Sequence, residues 1–351
     1  MSDAVAALGL ADCLTGLKVI DLSRNLPGPF ATRLLADLGA DVVKYEPKQG
    51  DPARALGKLF DALNHGKASH KIDFKQPDDI AKLKSEIATA DVMIDSFRPN
   101  VLEGMGLSPQ ALLADNPKLV IVSITGYGTV PNWADKAGHD INFMAMSGVL
   151  DQLKTASGEQ AMPNVQFADL AGGSDTAVIA LLAAVLNARL TGKGRHINVS
   201  MTHSLYNHLV MPKATGKFVK ALTQVTPTPE QDFLGGVLPC YRLYQTQDGR
   251  YMAVGSLELK FWQDLCQALD LNEHAASHWQ LGVLPTQPES QAAAQAVARK
   301  FAQQPLSHWQ DYFTQFDVCV TPILTLAEAA SHELFANQDT YGNIEPWYQL
   351  S

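Results

Sequence analysis

Short apolar runs alternate with helix-spaced apolar positions along the first third of the chain. The runs at 17–22 and 41–46 have the length and composition of buried strands. Between them, 29–38 carries apolar residues at helical spacing and is followed by Gly39, a residue type that commonly ends helices. Two strands joined by one helix pack as a right-handed parallel pair. The pattern therefore predicts the start of a parallel sheet.

The same alternation continues further along the chain. Apolar runs predict strands at 92–95 and 119–124, and helical spacing predicts helices at 77–90 and 109–115. Strands and helices that alternate in this way are typical of an α/β fold with a parallel sheet. We therefore expect a large Rossmann-like α/β domain over residues 1–199.

A dinucleotide-binding domain is the obvious alternative for such a sheet. Glu46 stands about where an acidic residue would bind a ribose, but the turn at 23–29 lacks the G-x-G-x-x-G pattern. Those glycines let a pyrophosphate approach the backbone. The sequence therefore predicts a Rossmann-like domain without a dinucleotide fingerprint and without NAD.

The second half of the chain has a less regular pattern. A long apolar helix is predicted to begin near Asp169, and the stretch 215–236 is rich in Thr, Pro, Gln and Gly. Two short strands are expected within 240–255 around an Asp-Gly turn, with helices to follow at 261–269 and 291–301. The predicted organisation is a linker over 200–236 and a smaller α+β domain over 237–310.

Composition and charge narrow the classes of partner. The chain of 351 residues is 46% hydrophobic and 18% charged, with a formal net charge of -9. Nucleic acid is bound through basic surfaces, so this acidic balance argues against it as a partner. The four cysteines show no zinc-like spacing, and we expect free thiols in a reducing compartment and no metal.

The apolar runs predict neither secretion nor membrane insertion. No charged-then-apolar leader opens the chain, so we expect a cytoplasmic protein. The longest apolar run, 177–186, is far shorter than the roughly 18 to 20 residues that span a bilayer. We therefore predict a core helix there and no membrane partner.

Two segments contain residues suited to proton transfer. The stretch 138–143 reads Gly-His-Asp-Ile-Asn-Phe, and Asp169 stands where the long apolar helix is predicted to begin. A histidine titrates near neutral pH, and the unpaired N–H groups of a helix start would keep a carboxylate ionised and ready as a base. His139 and Asp169 could therefore pass protons on and off carbon. Each also has a plainer interpretation, since His139 could satisfy a loop and Asp169 could cap its helix.

Five segments carry a family resemblance. They are 21–46 (DLSRNLPGPFATRLLADLGADVVKYE), 96–107 (SFRPNVLEGMGL), 138–143 (GHDINF), 169–173 (DLAGG) and 249–261 (GRYMAVGSLELKF). Together they resemble the family III CoA-transferases, also called the CaiB/BaiF superfamily, from about residue 17 to about residue 330. The set of His139, Asp169 and Glu258 is similar to the 2-methylacyl-CoA racemase branch, because the transferase branch usually lacks the histidine of the Gly-His-Asp motif.

The resemblance implies an enzyme that inverts the α-carbon of a 2-methyl-branched acyl-CoA by two-base proton transfer through an enolate. His139 and Asp169 would lie on opposite sides of the enolate, and Glu258 of the small domain would pair with His139. Coenzyme A would be part of the substrate, and no metal or redox cofactor would be needed. The resemblance also implies an interlocked homodimer and a return segment, 311–351, that joins the large domain.

An acidic chain that binds coenzyme A must gather cations locally. Candidates from charge alone are Arg54, Lys67, Lys71, Lys75 and Arg98. Lys75 and Arg98 also stand at positions that contact CoA in the family, beside Ile72 and Ser96.

The remaining predicted CoA-binding residues belong to the histidine motif. They are Gly138, Asp140 and Asn142. Asp140 could orient a ring, accept a hydrogen bond from CoA or cap a turn. Ala68 and Gly104 stand where many relatives have arginine, so one contact would be missing or supplied by Arg54 or Lys48.

Two other functions fit parts of the pattern. In a CoA-transferase, Asp169 would attack the thioester and form an acyl anhydride before CoA passes to a second carboxylic acid. That mechanism gives His139 and Glu258 no task. The third possibility is a catalytically silent CoA-binding protein, which the intact set of three candidate residues disfavours.

Overall fold

The computed structural model describes residues 10–155 and 157–335. The described chain forms two compact units. Of the described residues, the first unit contains 10–150 together with Pro163–His208, and the second contains those within 151–162 together with Leu209–Phe335.

The first unit is built on a six-stranded, fully parallel sheet. The strand order is β3-β2-β1-β4-β5-β6. Strands β4 and β5 are buried along their whole length, and their near-continuous apolar sequences suit a sheet covered on both faces. The strands are β1 (Lys18–Asp21), β2 (Asp41–Pro47), β3 (Ala68–Ile72), β4 (Val92–Asp95), β5 (Val120–Thr125) and β6 (Arg195–Ser200).

Helices connect these strands and cover the sheet. Pro27 opens the first of them, where the fixed backbone of proline suits a helix start, and Gly39 follows its end with a positive φ of 94°. The helices are α1 (Pro27–Asp37), α2 (Lys58–Asn64), α3 (Pro77–Ile87), α4 (Val101–Gly104), α5 (Pro109–Asp115), α6 (Asp140–Ser147), α7 (Thr176–Thr191) and α8 (Met201–His208). A π-helical turn, Ala168–Asp175, leads directly into α7.

The strand order has a topological switch point between β1 and β4. The chain first moves outward from β1 through β2 to β3, and then returns to β4 on the other side of β1. The connections after β1 and β4 therefore diverge at the carboxyl edge of the sheet. Open α/β sheets bind ligands in the crevice that forms there.

The second unit contains a small antiparallel sheet and its own apolar core. Strand β8 pairs with both β7 and β9. Trp262 and Phe301 are fully buried in this core, where Phe301 packs edge-on against Trp309 with ring centroids 5.0 Å apart. The elements are α9 (Val210–Thr223), β7 (Tyr241–Gln245), β8 (Tyr251–Gly255), α10 (Leu259–Ala268), α11 (Pro288–Phe301), α12 (Leu306–Phe313), β9 (Val320–Pro322) and α13 (Leu326–Ala330).

The predicted fold class is confirmed: a parallel Rossmann-like sheet, with a smaller α+β unit. The predicted linker at 200–236 differs from the structure, because α8 and α9 occupy much of it. The predicted return segment also differs in its first part, since β9 pairs with β8 inside the second unit. Its remainder, 336–351, lies outside the described residues.

One continuous helical stretch begins beside Asp169, as the sequence pattern predicted, and is strongly apolar. Ala168–Thr191 has 24 residues and, by length and composition alone, could cross a bilayer. Of its most apolar window, 44% is buried in the protein, and core helices of soluble proteins pass the same test. Ile179, Leu186 and Leu190 are exposed on α7.

Candidate active site

A cleft opens at the carboxyl edge of the large sheet, beside the switch point. Its cavity volume is about 180 Å³. The loops after β1, β4 and β5, the segment before α6 and the π-helical turn all contribute lining residues. His139 and Asp169 both line it. The sequence motifs that lie about 30 residues apart are therefore brought to one site.

His139 immediately precedes α6 and is held there by its backbone. Its N–H donates to Asn142 Oδ1 at 3.0 Å, and the N–H of Asn142 donates back to the His139 carbonyl at 2.8 Å. The bond from the His139 N–H to the Asn142 side chain is one half of a capping box, and together with the backbone bond it fixes the entry of the chain into the helix. The Asn142 side chain is therefore engaged in positioning His139, whose own side chain is exposed.

Asp169 lies in the first turn of the π-helical segment and is half-buried. Burial raises the pKa of its carboxyl to about 7, and the negative charge of Asp140 adds to the rise. The expectation that a helix start would keep Asp169 ionised is wrong. Near neutral pH, both the protonated and the ionised form of Asp169 are populated.

Asp140 explains why the helix start does not lower the pKa of Asp169. Its Oδ1 accepts the N–H of Ala168 at 2.7 Å and the N–H of Asp169 at 3.0 Å. The amide groups that could have stabilised an ionised Asp169 thus point to a different carboxylate. Of the three roles predicted for Asp140, the structure assigns it a capping role, and it caps a neighbouring helix.

The glycines after Asp169 serve close packing. A Cβ on Gly172 would lie 3.0 Å from the Met201 carbonyl oxygen, and one on Gly173 would lie 3.0 Å from Pro27 Cβ. Both distances are tighter than ordinary contacts. The small residues thus let the turn that carries Asp169 pack against α8 and α1. The N–H of Gly172 bonds to the carbonyl of Phe167, the five-residue spacing of a π-helix, a form that is frequent at functional sites.

Aromatic rings form one wall of the cleft and require a glycine before His139. Phe143 packs edge-on against Tyr127 with ring centroids 5.1 Å apart. A Cβ on Gly138 would lie 2.6 Å from Phe143 Cε1 and 2.8 Å from the Tyr127 hydroxyl. Gly138 therefore has a packing role that the sequence alone did not indicate, and it lines the cleft.

Cationic side chains line the same cleft. Arg98, which was predicted, lies there together with Arg24 and Lys136, which sequence reasoning missed. The Arg24 guanidinium stands over the Phe97 ring, 5.2 Å from its centroid. The position of Arg24 in the loop after the first strand was the available signal, because loops at the carboxyl edge bind ligands. Ser96 Oγ accepts the Arg24 N–H at 2.9 Å, which ties the loops after β1 and β4 together.

Two of the candidate cations are engaged elsewhere. Arg54 forms a two-point pair with Glu46, at 2.6 and 2.7 Å, and lies over the Phe60 ring at 3.6 Å. Lys67 is fully buried and bonded to Asp21, the Pro29 carbonyl and other groups, and burial lowers its pKa to about 8.

Four other positions belong to the edge of the sheet or to a neighbouring helix. Ile72 ends edge strand β3, and Lys75 is exposed three residues later, with its N–H bonded to Asp73 at 3.0 Å. Ala68 is exposed on the same strand, and open space surrounds Gly104 on α4. None of these four lines the cleft described above.

Glu258 belongs to the second unit. It is exposed and stands immediately before α10, where the N–H of the next residue, Leu259, is bonded to Gln280 at 2.7 Å. Its predicted pairing with His139 stays a prediction.

The chain matches a known protein family over most of its length. The family model for CoA-transferase family III matches residues 14–345. The chain belongs to this family. Its members are enzymes, either racemases or CoA-transferases, and an acyl-CoA substrate is consistent with the family.

Racemases and CoA-transferases are both found among the relatives of this family III member, at similar sequence identity. It is 32% identical to alpha-methylacyl-CoA racemase from Homo sapiens over 91% of the chain and 80% of that protein. It is 31% identical to acetyl-CoA:oxalate CoA-transferase from Acetobacter aceti over 90% of the chain and 82% of that protein. A solved CaiB/BaiF family protein from Brucella suis is 28% identical, with a TM-score of 0.76 over 92% of this chain and 87% of the other. Overall identity therefore does not separate the two reactions.

Proposed function

We propose that this family III member is an acyl-CoA racemase acting on 2-methyl-branched acyl-CoA thioesters. The observation that carries the proposal is that His139 and Asp169 line one cleft, in which the pKa of Asp169 is raised to about 7. A general acid or base works best when its pKa lies near the working pH. Asp169 meets this condition at neutral pH.

The reaction moves one proton off the α-carbon and returns one to the opposite face. The thioester carbonyl acidifies the α-proton because the resulting charge spreads onto oxygen as an enolate. Asp169 takes up or delivers the proton on one face, and His139 does so on the other. A positioned base of this kind typically contributes about 10² to 10⁴-fold to the rate.

The cationic side chains of the cleft provide local positive charge in a chain that is acidic overall. Arg24, Arg98 and Lys136 line the cavity that holds both bases, although the formal net charge of the chain is -9. Arginine binds phosphate through paired hydrogen bonds, and lysine binds it as a point charge. These side chains favour an anionic substrate such as a CoA thioester at this edge of the sheet.

A CoA-transferase is the second candidate, because relatives with that activity are as similar as the racemases. In that reaction Asp169 must be ionised to attack the thioester. The raised pKa of Asp169 reduces the ionised fraction near neutral pH, and His139 has no evident task. Both observations favour proton transfer.

Incubation of the protein with a single configuration of 2-methylacyl-CoA in D₂O tests the proposal. We expect loss of configuration and uptake of deuterium at the α-carbon without any added carboxylic acid. Hydroxylamine should leave the enzyme active, because proton transfer forms no anhydride. The result that would overturn the proposal is acceptor-dependent turnover without deuterium uptake, with Asp169 recovered as a hydroxamate by mass spectrometry.

A further inference from the structure

One carboxylate oxygen joins the helices that carry the two proposed bases. Asp140 is the first residue of α6, directly after His139. Its Oδ1 accepts the N–H groups of Ala168 and Asp169, at 2.7 and 3.0 Å. The segments that carry Asp169 and His139 are therefore linked through this half-buried group.

The same carboxylate is the charge that acts on Asp169. Helices α1, α6, α7 and α8 and strands β5 and β6 pack on the π-helical turn. Asp140 is the neighbour whose charge changes the proton affinity of Asp169, and it acts in the same direction as burial. The titratable side chains on the turn, on these elements and directly before α6 are Asp175, Arg33, Asp37, His139, Asp140, Arg189, His203, Tyr206, His208, Arg195 and His196.

We propose that Asp140 is a positioning residue that makes Asp169 a reversible proton carrier instead of a permanently ionised base. It does so in two ways, by accepting the amide groups at the helix start and by placing a like charge beside Asp169. Hydrogen bonds to an ionised carboxylate and the positive end of a helix both favour ionisation, whereas a neighbouring carboxylate opposes it. The inference rests on the proposed racemase function, because a reversible carrier is what inversion in both directions needs.

Three substitutions separate these effects. Asp140→Asn removes the charge and keeps an acceptor oxygen for the two amide groups. Asp140→Ala removes both the charge and the acceptor. Asp135→Asn is the matched control, since it removes the same charge from an exposed position in the loop that leads to His139.

The titration of Asp169 is followed by ¹³C NMR of carboxyl-labelled protein, with the signal assigned by its loss in Asp169→Asn. In Asp140→Asn we expect Asp169 to titrate at a pH lower by about one unit, the usual size of one neighbouring charge. The acidic inflection of deuterium exchange should move by the same amount. In Asp140→Ala, the rate of deuterium exchange at the optimal pH should in addition fall by more than about 10-fold. In Asp135→Asn, both the NMR titration of Asp169 and the pH profile of deuterium exchange should stay unchanged.

The outcomes distinguish this inference from the proposed function. If Asp169 titrates at the wild-type pH in Asp140→Asn while the wild type exchanges its α-proton, the inference fails and the racemase proposal stands. Equal losses of activity in both Asp140 variants with an unmoved inflection would indicate a purely structural role and also overturn it. If the wild type shows no exchange at any pH, the racemase proposal fails, and the NMR titration still decides whether Asp140 sets the proton affinity of Asp169. Should Asp140→Ala not fold, Asp140→Asn alone gives the answer.

Discussion

Replacing Asp169 by asparagine tests the raised proton affinity of this site without reference to catalysis. Asparagine has nearly the size of aspartate and stays neutral at every pH. In the wild type, the pKa of Asp169 rises from an ordinary value of 3.8 to about 7 on folding. The folded state therefore binds more protons than the unfolded state between these two values. By linkage, the stability contributed by Asp169 falls as pH rises through this range.

The size of the effect follows from the shift. A shift of one pKa unit corresponds to about 1.36 kcal/mol in the free energy of unfolding. Between pH 5 and pH 8, the effect of the raised pKa of Asp169 on that free energy is equivalent to about two such units. Relaxation of the protein and access of solvent around a half-buried carboxyl reduce this free-energy change by about half. We expect the stability of Asp169→Asn relative to wild type to increase by about 1 to 2 kcal/mol from pH 5 to pH 8.

Urea unfolding of both proteins at pH 5, 6, 7 and 8 measures this change. Comparing the stability of Asp169→Asn relative to wild type at two pH values removes any effect of asparagine that does not depend on pH. Asp135→Asn, an exposed charge in a nearby loop, provides the control and should show no such trend. A relative stability of Asp169→Asn that stays constant or falls with pH would refute the raised pKa, and with it the main argument for proton transfer.

Three further predictions concern the cleft. His139→Ala and Asp169→Ala should each lower racemisation by at least about 10², measured by loss of optical purity, with CoA affinity nearly unchanged; wild-type turnover in His139→Ala would contradict the two-base scheme. Arg98→Ala should weaken CoA binding by about 1 to 2 kcal/mol in calorimetry, less at high salt, and Lys75→Ala, which lies away from the cleft, should weaken it less. Gly138→Ala should destabilise the protein by about 1 to 3 kcal/mol in urea unfolding, because its Cβ would meet the Phe143 ring, and an unchanged midpoint would show that the ring yields freely.

The inner part of the large sheet could be predicted from sequence and its edges could not. Strands β1, β2, β4 and β5 are largely buried and therefore appear as apolar runs. The edge strands read Ala-Ser-His-Lys-Ile in β3 and Arg-His-Ile-Asn-Val-Ser in β6, and most of their side chains are exposed or half-buried. An edge strand needs no apolar alternation when one side faces solvent, so its sequence resembles a loop.

The candidate residues were likewise only partly predictable. The Gly-His-Asp motif and Asp169 were identified from sequence, and the structure brings both to one cleft. Arg54 and Lys67 stood out by charge, yet Arg54 pairs with Glu46, eight residues away, and Lys67 pairs with Asp21, 46 residues away. Charge in a sequence gives no information about such pairing, which decides whether a cation is available to a ligand.

The proton affinity of Asp169 depends on a contact between residues 29 positions apart. An aspartate at a helix start is ordinarily stabilised as an anion by the free amide groups around it. Here those amides are bonded to Asp140, so Asp169 retains the cost of burial without that compensation. A nucleophilic carboxylate would gain from the opposite arrangement, because it must be ionised to attack. Since the identities to the racemase and transferase relatives are 32% and 31%, the direction of these two backbone N–H groups, and not overall identity, supports the proposed proton transfer.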